Sequence, residues 1–243
     1  MCGRYVSVRS NEDLTDEFDA VDATDDEWTA PNYNVAPTDP VRVVVNRPLR
    51  DENGTKAEEP TRQLRVASWG LVPSWSKDRK TQGRMFNARV EGVATTNAFR
   101  RAYAKRRCLV PADGWYEWQR VDGGKQPIYM TPEDGHPIAF AGLYEFWGEQ
   151  GHTLTTCTII TAPAAGVLAE VHDRMPLVLP RTSWRRWLDP KVDDPADLLA
   201  SWDEAGAERL ELRPVATLVN KVDNDGPELI ARVEPAVDEQ RLF

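Results

Sequence analysis

The chain reads as an α+β fold on a mostly antiparallel sheet, and two features predict this. Segments rich in β-branched and aromatic residues crowd the middle of the 243 residues, and helical segments are scattered around them instead of alternating with them. No internal repeat breaks the pattern, so residues 2–243 are assigned to one domain. In chain order, Ser10 to Ala20 reads as a short acidic helix capped by Ser10 or Asn11, whose side chains can accept from the first free amides. Strands are expected at "VRVVV" (41–45), "LRVASWG" (64–70), "PIYM" (127–130), "PIAFAGLYEFW" (137–147) and "TLTTCTII" (153–160). Residues 47–63, mostly polar, are expected to be a solvated hairpin loop turning at Asn53-Gly54. Helical character is assigned to "NAFRRAYAKR" (97–106), "APAAGVLAEV" (162–171), "TSWRRWL" (182–188) and "PADLLASW" (195–202), the last with Pro195 in its first turn.

Composition excludes several classes of function. A hydrophobic content of 41% with nine Trp suits a folded globular chain. No run approaches the roughly 18 apolar residues a membrane helix needs, and no basic-then-apolar leader is present, so a cytoplasmic protein without a membrane partner is expected. The three cysteines, Cys2, Cys108 and Cys157, are odd in number and far apart, which argues against a disulfide framework. None belongs to a CxxC or CxxH pair, so no metal site is expected, and no cofactor motif appears.

The net charge of -9 would ordinarily count against a nucleic-acid partner. Trp75 to Arg107 reverses the balance, with ten basic residues against Asp78 and Glu91, a local +8 that leaves -17 on the rest. Asp (21) outnumbers Glu (18) and Arg (23) outnumbers Lys (7), the bias of a protein adapted to concentrated salt. Under such conditions phosphate attraction is screened, and DNA binding must lean on stacking, hydrogen bonds or covalent chemistry.

Six stretches carry the chemistry: "MCGRY" (1–5), "NYNVAPT" (32–38), "SWGLVPSW" (68–75), "FNARVE" (86–91), "RCLVPADGWYEW" (107–118) and "HDRMP" (172–176). In this order and spacing they closely resemble the SRAP family, the SOS response-associated peptidase-like proteins, which includes sensors of abasic sites in single-stranded DNA. The resemblance covers nearly the whole chain. It implies a barrel-like sheet core with peripheral helices and a monomer acting on single-stranded DNA that contains abasic sites.

Cys2 stands directly behind the initiator Met1, a small residue that methionine aminopeptidase leaves as the new N-terminus. Its α-amine and thiol would together capture the ring-opened aldehyde of an abasic site as a five-membered thiazolidine. Reference ionisations near 8 and 8.5 make both nucleophiles partly available at neutral pH. Glu117, on a strand face shared with Trp115 and opposite Tyr116 and Trp118, is expected to have a raised pKa and to act as acid and base. The resemblance gives His172 the protonation of the sugar ring oxygen and places Asn87 beside the sugar. It gives Arg4, Arg89 and Arg174 the phosphates, and Asn34 a place near the N-terminus. Trp75 and Trp118 are candidates for stacking on bases, although "VPSW" leaves only Trp75 where some relatives carry two adjacent aromatics.

Blander readings stay open at this point. Cys2 as core, Glu117 as an exposed strand carboxylate, His172 as a cap and Glu91 as a surface partner of Arg89 all fit the sequence. The run from Arg100 to Arg107 also fits a solvated helix face. Two other functions remain as alternatives: a cysteine peptidase or N-terminal-nucleophile hydrolase using Cys2 on an amide, and a non-catalytic single-strand-binding module.

Overall fold

β-branched and aromatic runs form the strands, and their pairing decides where every other element sits. A computed structural model of the protein describes residues 2–25, 30–50, 53–149, 152–200 and 209–234. Its first strands are β1 (Tyr5–Ser7), β2 (Val21–Asp22), β3 (Asn32–Val35), β4 (Pro40–Arg50), β5 (Lys56–Trp69) and β6 (Asn87–Arg89). They are followed by β7 (Arg107–Ala112), β8 (Gly114–Val121), β9 (Gly124–Pro132), β10 (Ile138–Trp147), β11 (Leu154–Pro163), β12 (Arg174–Pro176) and β13 (Leu210–Pro214). The α-helices are α1 (Asn11–Phe18), α2 (Arg100–Lys105) and α3 (Arg181–Leu188).

One sheet closes on itself. β5 pairs with β4, β4 with β7, β7 with β10 and β10 with β11, all antiparallel. The end of β5 then returns to β11 in parallel, with Ser68 opposite Thr156 and Trp69 opposite Cys157. The five strands thereby form a ring, from which the outer halves of β4 and β5 project as a ribbon. β2, β6 and β12 attach to its margins. The second sheet, ordered β13-β9-β8-β1-β3, is antiparallel throughout.

Alternation along each strand sorts the side chains. Val41, Val43 and Val45 join Trp69, Cys108, Phe140, Cys157 and Ile159 in one buried cluster inside the ring, which also takes Tyr5, Trp115 and Met130 from the second sheet. Val44, Leu109, Ala141 and Ile160 face the other way, under the helices. There α1 is held by a capping box, the Ser10 hydroxyl accepting from the Asp13 amide at 3.0 Å while the Asp13 carboxylate accepts from the Ser10 amide at 3.2 Å. Its Phe18 stacks on Trp184 of α3 with ring centroids 4.4 Å apart, worth about 0.5–1.5 kcal/mol beyond the area buried. The outer face of the second sheet, Val6, Tyr116 and Tyr129, is covered by Val215, Val219 and Leu229.

The α+β assignment and the expected long strands hold, with some differences. Residues 47–63 are mostly ladder: β4 runs to Arg50 and β5 starts at Lys56, paired through Pro48 opposite Pro60. A two-stranded ribbon in solvent has the polar composition of a loop, which is why the sequence suggests one. The turn itself contains Gly54 at φ 79°, as Asn53-Gly54 implies. "APAAGVLAEV" is not an α-helix, since β11 extends to Pro163 and only a 3-10 turn follows at Gly166–Glu170. "PADLLASW" is likewise 3-10 at Ala196–Ala200, and its last two residues lie outside the described residues.

The basic run is also not a plain solvated face. Arg107 is 4% exposed and donates to the carbonyls of Tyr103, Ala104, Trp187, Asp189 and Val192, tying the ends of α2 and α3 together. Arg106 pairs with the buried Glu145 at 2.6 Å and Lys105 with Asp193 at 3.0 Å. Arg107→Met should therefore destabilise the protein by about 3 kcal/mol or more, because several buried carbonyls lose their donor at once. Urea unfolding will measure this, and a loss under about 1 kcal/mol would contradict the role given to the guanidinium.

Candidate active site

The pairing of β1 with β8 sets the site. Tyr5 lies opposite Trp115, and the Tyr116 amide donates to the Arg4 carbonyl at 3.0 Å. Continuing that antiparallel register carries the chain from Arg4 toward Cys2 along Glu117. Cys2 is fully buried in the ring's core. Its carbonyl accepts a hydrogen bond of 2.8 Å from Asn87 Nδ2, and Asn87 is fixed in turn because β6 lies parallel to β11 with Asn87 opposite Ile159. Asn87 Oδ1 is buried and has no hydrogen-bond partner among the described residues. Trp69 donates its Nε1 to the Phe86 carbonyl at 2.8 Å, bracing the residue before Asn87.

Glu117 is 3% exposed, and burial raises its carboxyl pKa to about 7. This rules out the exposed-carboxylate reading and agrees with the face assigned from sequence, since Trp115 points into the ring core while Tyr116 and Trp118 pack on the other side. Burial also lifts the Cys2 thiol well above its ordinary range, with the Glu117 charge adding to the effect. The expectation of a partly ionised thiol is thus corrected: Cys2 is held as a neutral thiol by a dry, acidic surrounding.

His172 sits between the 3-10 turn at Gly166–Glu170 and β12. Its Nδ1 accepts from the Arg174 amide at 2.9 Å, so the neutral ring carries its proton on Nε2. Burial lowers its pKa, which favours that neutral form. β12 and β6 flank the same end of β11, with Thr161 opposite both Arg89 and Pro176. Asn87 and Arg89 line one cavity of about 410 Å³ with Glu91, Gly92, Thr96 and Phe99.

The remaining binding candidates divide into two groups. Trp75, 59% exposed, and the exposed Arg89 are open to solvent. Arg4, Asn34, Trp118 and Arg174 are engaged within the protein. Arg4 donates to Asn34 Oδ1 at 2.8 Å and to the Val219 carbonyl at 2.9 Å. Buried Asn34 donates to the carbonyls of Lys221 and Asn224, both at 2.9 Å. These two side chains pin the loop 219–224 against β1 and β3. Trp118 donates to Asn220 Oδ1 at 2.7 Å. Arg174 meets Glu91 with both terminal nitrogens, so Glu91's partner is Arg174 and not Arg89. The sequence shows Glu91 only as the end of "FNARVE", with nothing to distinguish which arginine it would reach. Among the described residues no three His, Cys, Asp or Glu side chains gather as a metal site would require.

The profile of the SOS response associated peptidase (SRAP) family matches residues 1–222. The chain belongs to the SRAP family. Its relatives include the abasic site processing protein YoqW of Bacillus subtilis (strain 168), 36% identical over 95% of this chain and 99% of the relative. YedK of Escherichia coli (strain K12), also named an abasic site processing protein, is 32% identical over 96% of this chain and all of the relative. The chicken (Gallus gallus) abasic site processing protein HMCES is 31% identical over 86% of this chain and 68% of its own length. Among solved structures, a Bacteroides thetaiotaomicron protein shares the fold with a TM-score of 0.78 at 19% identity, covering 96% of this chain and all of that one.

For this SRAP protein the state of Glu117 sets a stability profile. Between about pH 4.5 and 7 the unfolded chain releases this proton while the folded chain keeps it, so stability falls as pH rises through that window. Glu117→Gln should remove the penalty, making the variant more stable than the parent by about 2–3 kcal/mol at about pH 8. Below about pH 4.5 the gap should close. Urea midpoints at the two pH values will test it, and a variant less stable at the higher pH would refute the burial-driven shift.

Proposed function

We propose that this protein captures abasic sites in single-stranded DNA as a thiazolidine on Cys2. The observation that carries the reading is the Asn87 bond to the Cys2 carbonyl, which holds that residue beside a buried carboxyl with a pKa of about 7. The names of three relatives, each an abasic site processing protein, support the substrate. Exposed Trp75 and the exposed cations Lys77, Lys80 and Arg84 lie in the segment leading to Asn87, with exposed Arg89 just after it, and suit a single strand, one by stacking and the others by charge.

Removal of Met1 frees the Cys2 α-amine. The amine adds to the aldehyde carbon of the ring-opened sugar, and the carbinolamine loses water to give an imine. The thiol then adds to the imine carbon, with its proton passing to the nitrogen, and the ring closes as N–C–S. A neutral thiol suits this order, because the amine acts first and sulfur follows. Glu117, near half-protonated at neutral pH, can supply a proton to the departing hydroxyl and accept the thiol proton in the next step. His172 offers Nε2–H to the sugar ring oxygen during opening. Asn87 Oδ1, without a hydrogen-bond partner among the described residues, is an acceptor for a sugar hydroxyl.

A peptidase would need Cys2 as a thiolate at neutral pH. Its raised pKa runs against that.

Cys2→Ser keeps an amine and loses sulfur. It should give only a Schiff base that borohydride can trap, with strand nicking by β-elimination, where the parent gives an adduct stable on a denaturing gel. Intact mass of the parent with and without abasic oligonucleotide should show Met1 loss and adduct mass together. A Cys2→Ser adduct as durable as the parent's, or a parent that retains Met1 and still cross-links, would exclude the thiazolidine.

A further inference from the structure

Glu91 takes no part in the chemistry above, yet two successive contacts tie it to His172. Its carboxylate receives both terminal nitrogens of Arg174, Nη2 at 3.0 Å from Oε2, and the same Nη2 donates to the Thr161 carbonyl at 2.6 Å. Arg174 is 9% exposed while the Glu91 side chain is 53% exposed, so the contact reaches from the surface to a buried guanidinium whose other partner is the Thr161 carbonyl. The Arg174 guanidinium is also the leading cause of a lowered Glu91 pKa.

The backbone explains why such a clamp is needed. β12 meets β11 over three pairs, Thr161 with Pro176, Ala162 with Met175 and Pro163 with Arg174. Two of those six residues are prolines and cannot donate to the ladder. On the far side of β11 the Val90 amide donates to the same Thr161 carbonyl at 2.9 Å, so Glu91 follows a segment already anchored there. Glu91 and Arg174 thus bridge β6 and β12 across the end of β11.

The Arg174 amide is the group that fixes the His172 ring. Nδ1 lies 2.9 Å from that amide and also 2.9 Å from Asp173 Oδ1. The two contacts exclude one another, since the amide needs an unprotonated Nδ1 and the carboxylate needs a protonated one. Where β12 sits decides between them.

We propose that Glu91 is a positioning residue: by clamping Arg174 it sets β12 and thereby keeps His172 as the Nε2-protonated tautomer. This rests on the reading of His172 as a proton carrier, and it makes Arg174 part of the clamp in the DNA-free protein.

Glu91→Gln keeps size and removes the charge. Single-turnover cross-linking by full-length, Met1-processed protein is measured over a range of abasic oligonucleotide concentrations. The expected maximal rate is about tenfold to a hundredfold below the parent's, with the half-saturating DNA concentration unchanged or lower. Nitrogen NMR of His172 in DNA-free protein should show one tautomer in the parent and a mixture in the variant, a change that general loosening of the fold would not produce. Arg174→Lys, which keeps charge but not the two-pronged contact, should reproduce both effects, and the double variant should be no slower than the slower single one. It also decides the matter if Glu91→Gln does not fold. A parental rate and spectrum in these variants would overturn the assignment. So would tighter DNA binding at an unchanged rate, which would make Glu91 only a competitor for a phosphate-binding Arg174. If the parent itself forms no adduct, the functional reading fails, while the histidine spectra still decide the clamp.

Discussion

The hydrogen bond from Asn87 to the Cys2 carbonyl is the contact on which the site depends. A residue at the extreme N-terminus has few neighbours along the chain to restrain it, and chain ends are ordinarily poorly ordered. Here β1 delivers it along β8 on one side, and β6 holds it from the other. The second arrangement goes with the closed strand ring, because β6 and the end of β5 occupy the same edge of β11. The ring is therefore more than a hydrophobic scaffold; it brings position 87 to position 2.

That placement is costly. Asn87 Oδ1, Trp115 Nε1 and Tyr5 Oη are buried without hydrogen-bond partners among the described residues, each a penalty of about 1–3 kcal/mol. Glu117 carries a raised pKa in the same interior. Unmet polar groups around a buried nucleophile are what a site complementary to a polar, charge-redistributing reaction would contain. Elsewhere Arg107 and Asn34 are buried polar residues that bond extensively to backbone oxygens.

Much of this was legible in the sequence, and the parts that were not share a cause. The strands at 41–45, 137–147 and 153–160 announce themselves by β-branched runs that alternate inside and outside, and the helix at α1 by its Ser10 cap. Trp115 and Glu117 were placed on one face by period alone. Short strands such as β6 and β12 were not identifiable, because three residues carry no periodicity and exist only through pairing with β11. For the same reason the partner of Arg174 was hidden. Spacing puts Glu91 two residues from Arg89, whereas only the flanking of β11 by β6 and β12 brings it to Arg174. The hold of Arg4 and Asn34 on the loop 219–224 is equally hidden, because that loop lies nearly 200 positions away in sequence.

The charge of the molecule bears on why covalent capture would suit it. With a net charge of -9, long-range attraction to a polyanion is unfavourable on average. The local excess of cations between Trp75 and Arg107 shrinks further once Lys105, Arg106 and Arg107 are counted as paired or buried in structural contacts. What remains near the site is a few exposed cations and one exposed Trp75. Reversible binding through so few contacts would be weak, because each phosphate contact supplies only a small share of the affinity. Under the proposed capture, a carbon–sulfur bond formed after a short encounter would not depend on salt, and residence on the lesion would pass from electrostatics to the chemistry of Cys2.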